Sequence, residues 1–290
     1  MKSIPVRFYS LHLRSGEDVL DYQIFFDSLR SAVGVEVAVA SDYTVVLDYA
    51  ENVEQGTFEL VLFGGDQSGQ TVFYDRAEGG AVVQESSSDR WSAKPTRVVV
   101  SIGNDDRMVA LESARGGVTP LLFERYLERI KLEQFPKVRA DVTPLAGESF
   151  IEEIEAFERI RVASIEVARP NYDWADHANR LYELAEESKA ETSTAEVKAA
   201  RGESLDKHAG LVGVIQDVVK SPNPSVRNAK VTGRKPGDVV DQTVSLLKHQ
   251  ERATASVDQN LPLDKQSASL LDSFRGLLSR LRGRRVSVDD

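Results

Sequence analysis

VEVAVASDYTVVLDYAENVEQGTFELVLFGGDQSGQTVFY, Val35–Tyr74, is the stretch on which the fold class turns. It holds four short runs rich in Val, Leu, Tyr, Phe and Thr: Val35–Val39, Tyr43–Tyr49, Phe58–Phe63 and Thr71–Tyr74. Ser41-Asp42, Glu51–Gln55 and Gly64–Gly69 break them. β-prone runs separated by short polar breaks read as an antiparallel meander. Upstream, Ile4–Leu13 alternates apolar and polar as a strand does. Asp18–Val33 then carries Val19, Leu20, Ile24, Phe25, Leu29 and Ala32 at helical spacing, with Ser15 or Asp18 as its cap.

Downstream, a low-complexity stretch, Glu78–Arg90, precedes a hairpin of Thr96–Ile102, a turn at Gly103–Asp106 and Met108–Glu112. Helices are expected at Thr119–Phe135 and Glu148–Ile160, and a strand at Arg161–Ala168 that Pro170 ends. From Asn171 the character shifts. Tyr172–Ala200 reads as an Ala- and Glu-rich helix and Leu205–Val219 as another, stopped by Ser221–Pro224. Val226–Thr232 and Val239–Leu246 flank a turn at Arg234–Asp238 and form a hairpin. A polar loop leads to a last helix, Asp264–Arg282. Strands and helices come in groups, so the class is α+β. The expected plan is a sheet domain with packed helices over 1–170 and a helix-rich lobe with the hairpin over 171–290.

The chain has 290 residues, 41% hydrophobic and 28% charged, which is ordinary for a globular protein. It has no Cys, which excludes disulfides, cysteine nucleophiles and Cys-held metal clusters. No apolar run approaches the roughly 20 residues that span a bilayer. Met1–Ser10 lacks the basic head and apolar block of a signal peptide, so a cytoplasmic protein is expected.

Catalytic motifs are missing. There is no GxxxxGK[ST] and no GxGxxG after a strand. His12, His177, His208 and His249 lack metal-ligand spacing, and Asp173, Asp176 and His177 read as first-turn residues of a helix. Ser204, Asp206 and His208 are too close in sequence for a triad on one helix face. Gly210 and Gly213 share the GxxG spacing of a KH loop without its flanking strands, so they read as helix-packing positions. The reading is of a protein without enzymatic activity, metal, cofactor or small-molecule substrate.

The net charge of −10 hides an asymmetry. Residues 1–90 hold 6 basic and 15 acidic side chains, residues 91–200 hold 15 and 20, and residues 201–290 hold 15 and 11. Two acid-free clusters supply the positive charge. KSPNPSVRNAKVTGRK has Lys220, Arg227, Lys230, Arg234 and Lys235. RGLLSRLRGRR has Arg275, Arg280, Arg282, Arg284 and Arg285. Two such clusters in an acidic chain point to an anionic partner, and nucleic acid is the commonest. Neither shows the Asn, Gln and Arg pattern of a recognition helix, so phosphate contact without base reading is expected. Arg97, Arg107 and Arg115 on the middle hairpin are the next candidates.

Read in order, the chain resembles the RexA family of prophage exclusion proteins. RFYSLHLRSG (7–16) and IFFDSLRSAV (24–33) are similar to its first strand and helix. KPTRVVVSIGNDDRMVALE with GGVTPLLFERYL (94–112, 116–127) is similar to its strand, turn, strand and helix. SPNPSVRNAKVTGRKPGDVV, Ser221–Val240, resembles it most clearly. The resemblance implies a DNA-binding cytosolic sensor of abortive infection, a homodimer, acting through a separate membrane ion-channel partner of the RexB type. A second reading is a protein- or membrane-interaction module. Its basic C-terminal helix carries Leu270, Phe274, Leu277 and Leu281 as one apolar stripe, which reads equally as core or dimer packing. A third is a nuclease with an unrecognised carboxylate site.

Overall fold

The computed structural model describes residues 1–16, 18–67, 70–75, 77, 80–85, 90–103, 106–168, 192–220 and 226–286. It is an α+β protein built on antiparallel sheets. The larger sheet has strands β1 (Lys2–Ser15), β2 (Asp18–Val19), β3 (Glu36–Ala38), β4 (Tyr43–Glu54), β5 (Thr57–Asp66), β8 (Lys94–Ile102), β9 (Arg107–Glu112), β10 (Arg139–Pro144) and β15 (Arg252–Val257). Its order is β10-β1-β9-β8-β5-β4-β3. The meander read from Val35 onward is thus real. Its last run instead becomes β6 (Gln70–Asp75), which pairs with β7 (Gly80–Glu85) as a separate two-stranded ribbon.

β1 organises this sheet. Ile4, Val6 and Phe8 face one side, Tyr9, Leu11 and Leu13 the other, and both sets are buried. The first side is covered by the last helix, α5 (Leu263–Val286), through Leu270, Leu271, Phe274, Leu278 and Leu281. The second is covered by α1 (Tyr22–Ser28), a 3-10 turn at Leu29–Ala32, and α2 (Pro120–Arg129). Asp21 caps α1 by accepting from the Ile24 amide at 3.0 Å, so neither Ser15 nor Asp18 is the cap. The buried pair Arg97–Glu112, 3.0 Å apart, fastens α5 to the sheet because Arg97 Nε also donates to Ser267 Oγ at 3.1 Å.

A second sheet has the order β12-β11-β13-β14, from β11 (Arg159–Ala168), β12 (Thr192–Lys198), β13 (Val226–Arg234) and β14 (Gln242–Ser245). α3 (Glu148–Glu155) and α4 (Gly210–Lys220) pack on one face of it, burying Phe150, Ile154, Val212, Ile215 and Val219 against Ala163, Ile165, Ala229 and Val231.

The elements divide differently from the expected boundary at 170. β11 pairs with β12 and β13, so it belongs with the second sheet. α5 belongs with the first, since its apolar stripe is buried there. The second unit, about 146–249, is inserted between β10 and β15, which lie in tandem along one edge of β1. They meet at Phe8, whose carbonyl accepts from Leu145 N at 3.1 Å and whose amide donates to Glu251 O at 3.2 Å. The two connecting chains pair with each other, with a bridge at Ala146–Gln250 and a Gly147 N to His249 O bond of 2.9 Å. They form a two-stranded neck. Residues 192–198, expected in a helix, are strand β12; residues 172–191 of that expected helix lie outside the described residues.

Candidate nucleic-acid interface

The expected hairpin forms: β13 pairs with β14 from Lys230–Ser245 to Gly233–Gln242. Residues on the side opposite the α3–α4 core alternate with the buried ones, as strand geometry requires. On β13 these are Asn228, Lys230, Thr232 and Arg234. The register sets Arg159 beside Arg234, Val162 between Thr232 and Lys198, and Ser164 between Lys230 and Glu196. Glu166 stands beside Asn228. The face therefore carries Arg159, Lys198, Lys230 and Arg234 against Glu166, Glu196 and Asp241, a small positive excess on an acidic protein. At the Asn228 end of β13 the first unit comes close: Asn228 Oδ1 is buried and the neighbouring Arg227 reaches Glu124 of α2. Arg159 and Lys198 escaped the sequence reading because Lys198 was placed in a helix and Arg159 at a helix end.

The two expected clusters do not merge into one surface. The first lies on the second unit and the second on α5, and most members are held by carboxylates. Arg275 pairs with Glu59 at 3.0 Å and with Asp272. Arg282 forks onto Asp106 at 2.7 and 2.8 Å, tying the end of α5 to the β8–β9 connection. Arg284 reaches Glu251 at 2.8 Å, beside the neck. Lys235 pairs with Glu153 of α3, and Arg234 with Asp241 at 3.1 Å. Lys220, Lys230 and Arg280 are exposed and make no ion pair with a carboxylate among the described residues. The side chain of Arg285 lies outside the described residues. Of the reserve candidates, Arg97 is 4% exposed and unavailable to a ligand, Arg107 lies 4.6 Å from the centre of the Tyr22 ring, and Arg115 is exposed.

Arg227 has the most specific placement. The β11–β13 register runs Glu166–Asn228 and then Val167–Val226, which leaves Arg227 as the extra residue of a β-bulge. A bulge bends its strand and re-aims a side chain. From this bulge Arg227 reaches the first unit. Nη2 donates to Asp141 Oδ1 of β10 at 2.8 Å and Nη1 to Glu124 Oε2 of α2 at 3.3 Å. Glu124 also accepts the Val142 amide at 2.6 Å, and Glu128, one turn on, accepts the Ala140 amide at 3.2 Å. The α2 glutamates thus satisfy the outer edge of β10, which would otherwise present bare N–H groups. Burial raises the Glu124 carboxyl from 4.5 to about 7, Asp141 adds to the rise, and Arg227 and the Val142 amide oppose it.

Next to this clasp, Ser10 and His12 on β1 are buried, with Ser10 Oγ and His12 Nε2 3.1 Å apart. His12 stands directly across the ladder from Asp141. Neither Ser10, at 0%, nor His12, at 3% exposure, can be reached by a substrate, so this grouping is a polar seam rather than a nucleophile site.

The model of a domain of unknown function, DUF4747, matches residues 104–220, less than half of the chain. The match runs from β9 to α4 and so crosses both units. It includes Glu124 and Asp141 and stops short of Arg227. A search of curated proteins finds no match.

Proposed function

We propose that this chain is a non-enzymatic, sequence-tolerant DNA-binding protein that contacts phosphates with the face of its second sheet opposite the α3–α4 core. The supporting observation is the set Arg159, Lys198, Lys230 and Arg234 on the face opposite the α3–α4 core. Where those cations are paired, the pairs are exposed: Lys198 is 69% and Arg234 40% exposed at the side chain. Exposed pairs are worth little, so a phosphate can replace the carboxylate at small cost. Arg227, Arg275 and Arg282 are instead committed to holding elements together.

The setting that the RexA resemblance supplies is infection sensing, with the signal passed to a separate membrane channel of the RexB type. It gains support from position: the most similar segment, Ser221–Val240, carries Lys230 and Arg234. The homodimer that the resemblance implies now rests on the resemblance alone, because the apolar stripe of α5 is spent on the core. A reading frame for a small multi-span membrane protein beside this one would favour the exclusion setting, and a solitary gene would weigh against it.

Two or three phosphates neutralised at once give a salt slope of about −2 to −3. Affinity for any duplex should then fall roughly 10- to 50-fold between about 50 and 200 mM salt. Fluorescence anisotropy with two unrelated duplexes measures this. The pair Lys198→Glu and Lys230→Glu should weaken both duplexes alike by at least tenfold, while Arg280→Glu on α5 leaves them unchanged. Equal affinity of the double variant and the parent would sink the assignment. Loss confined to Arg280→Glu would move the site to α5.

A further inference from the structure

We propose that β12 is a docking edge for a second copy of this chain: two β12 strands pair antiparallel about a two-fold axis at Val197 and join the second sheets of both copies into one. β12 ends the order β12-β11-β13-β14, and among the described residues no chain pairs with its outer edge. Strand alternation decides what that edge offers. The Ala199 amide donates to Arg161 O at 2.9 Å, so Ala199, and at every second residue Val197, Ala195 and Ser193, bond toward β11. The N–H and C=O groups of Thr194, Glu196 and Lys198 therefore point outward. Such a row of bare groups is a template for another strand.

Charge selects the occupant and the register. A pair centred on Val197 sets Glu196 across from Lys198 of the second copy, and Lys198 across from its Glu196. Centring on Glu196 or on Lys198 sets like charges face to face, which destabilises a ladder. Centring on Ala195 leaves both charges opposite threonines. A slip of one residue would turn the core side of one copy onto the basic side of the other. Within each copy Glu196 and Lys198 already lie 3.0 Å apart, at 49% and 69% side-chain exposure. An exposed pair is worth little, so exchanging it for pairs across the edge costs little. A lone lysine on an edge repels a second copy, whereas one charge of each sign two residues apart is self-complementary. On the opposite side Val197, 38% exposed, meets Val197 of the second copy on the axis, and the contact covers both. The pairing rests on this geometry rather than on the family resemblance.

The axis runs perpendicular to the sheet, so both α3–α4 layers fall on one side and both basic faces on the other. One consequence, unlike the pairing itself, rests on the DNA reading. The two copies of Lys230 stand five strand spacings apart, about 24 Å across the strands, and one duplex meets cations of both. Two short strands bury less than the roughly 1,200 Å² of a stable interface, so dissociation is expected on the order of 10–100 µM. Diluted well below that range the chain is single and β12 is an open rim.

Sedimentation velocity of the full chain without DNA, at roughly 5 to 500 µM, reads the association. The parent should pass from monomer to dimer mass across that range. Glu196→Lys and Lys198→Glu each set like charges across the axis and should stay monomeric. Mixed together they should form a heterodimer, since one copy then offers two lysines and the other two glutamates. Val197→Cys is the sole Cys of its chain and should yield a covalent dimer on mild oxidation, because a non-hydrogen-bonded pair brings Cα atoms within disulfide reach. Leu121→Cys on α2, at a position 43% exposed, should not. A parent that stays monomeric at the highest concentration overturns the proposal. So does a dimer whose mass the single charge variants leave unchanged, a mixture of the two that fails to associate, or a covalent dimer formed as readily by Leu121→Cys. Loss of the DNA reading with the parent dimer intact would strike the phosphate face and leave this edge standing.

Discussion

Glu124 shows how one side chain ties stability to pH in the direction opposite to most carboxylates. Its carboxyl is raised to about 7 from 4.5, chiefly by burial. Between those values the folded chain holds a proton that the unfolded chain has released. Stability then falls as pH rises through this window and is level above it. Urea unfolding at pH 5, 6, 7 and 8 should show the parent losing on the order of 2–3 kcal/mol relative to Glu124→Gln across the window. Glutamine keeps the acceptor for the Val142 amide and carries no charge, so the difference isolates the ionisation. Parallel curves for the two proteins would mean the carboxyl titrates in its ordinary range. Glu59, also raised by burial and opposed by Arg275, adds a slope that both proteins share.

Among the helices, α5 lays the longest buried apolar stripe on the first sheet. Phe274 is 0% exposed, with Leu270, Leu271, Leu278 and Leu281 along the same stripe. Phe274→Ala should cost about 3–5 kcal/mol, read as a drop in the urea midpoint at unchanged slope. A cost under about 1 kcal/mol would mean that α5 is a loosely held cover. This helix was plain in the sequence because its stripe repeats at spacings of four, three and four. The meander was plain because β-branched runs alternate with polar breaks. β15 was not, since RATASV places Ala253, Ala255 and Val257 on the buried side, and alanine marks no face strongly. β12 was hidden in an Ala- and Glu-rich stretch whose local preference is helical, and strand pairing with β11 overrides that preference. The site was half legible for a related reason. Charge clusters show in a sequence, but the carboxylates that quench them are distant: Glu59 lies 216 residues from Arg275, and Asp106 lies 176 from Arg282. The bulge at Arg227 leaves no mark in composition at all.

At the scale of the molecule, two cores joined by a neck and a clasp predict two levels of cooperativity. Amides of β1, β8 and β9, buried on both faces, should exchange most slowly with solvent. Those of β12, at the rim of the second sheet, should exchange fastest among the strands. Hydrogen exchange read by mass spectrometry checks the order, and one uniform rate for both sheets would mean they open as a single unit. The tandem seating of β10 and β15 along β1 has a further consequence, for the order in which the chain is made. Once made, β1 waits for β10 to cover Tyr9–Arg14 and for β15 to cover Lys2–Arg7. At roughly 5–20 residues per second, that second half stands open for about 12–50 s of synthesis. Lys2 and Arg7 place charge on this exposed edge, which discourages pairing with a neighbouring nascent chain. β1 is thus made well before the strands that complete its edge, and is among the last of its sheet to find all its partners.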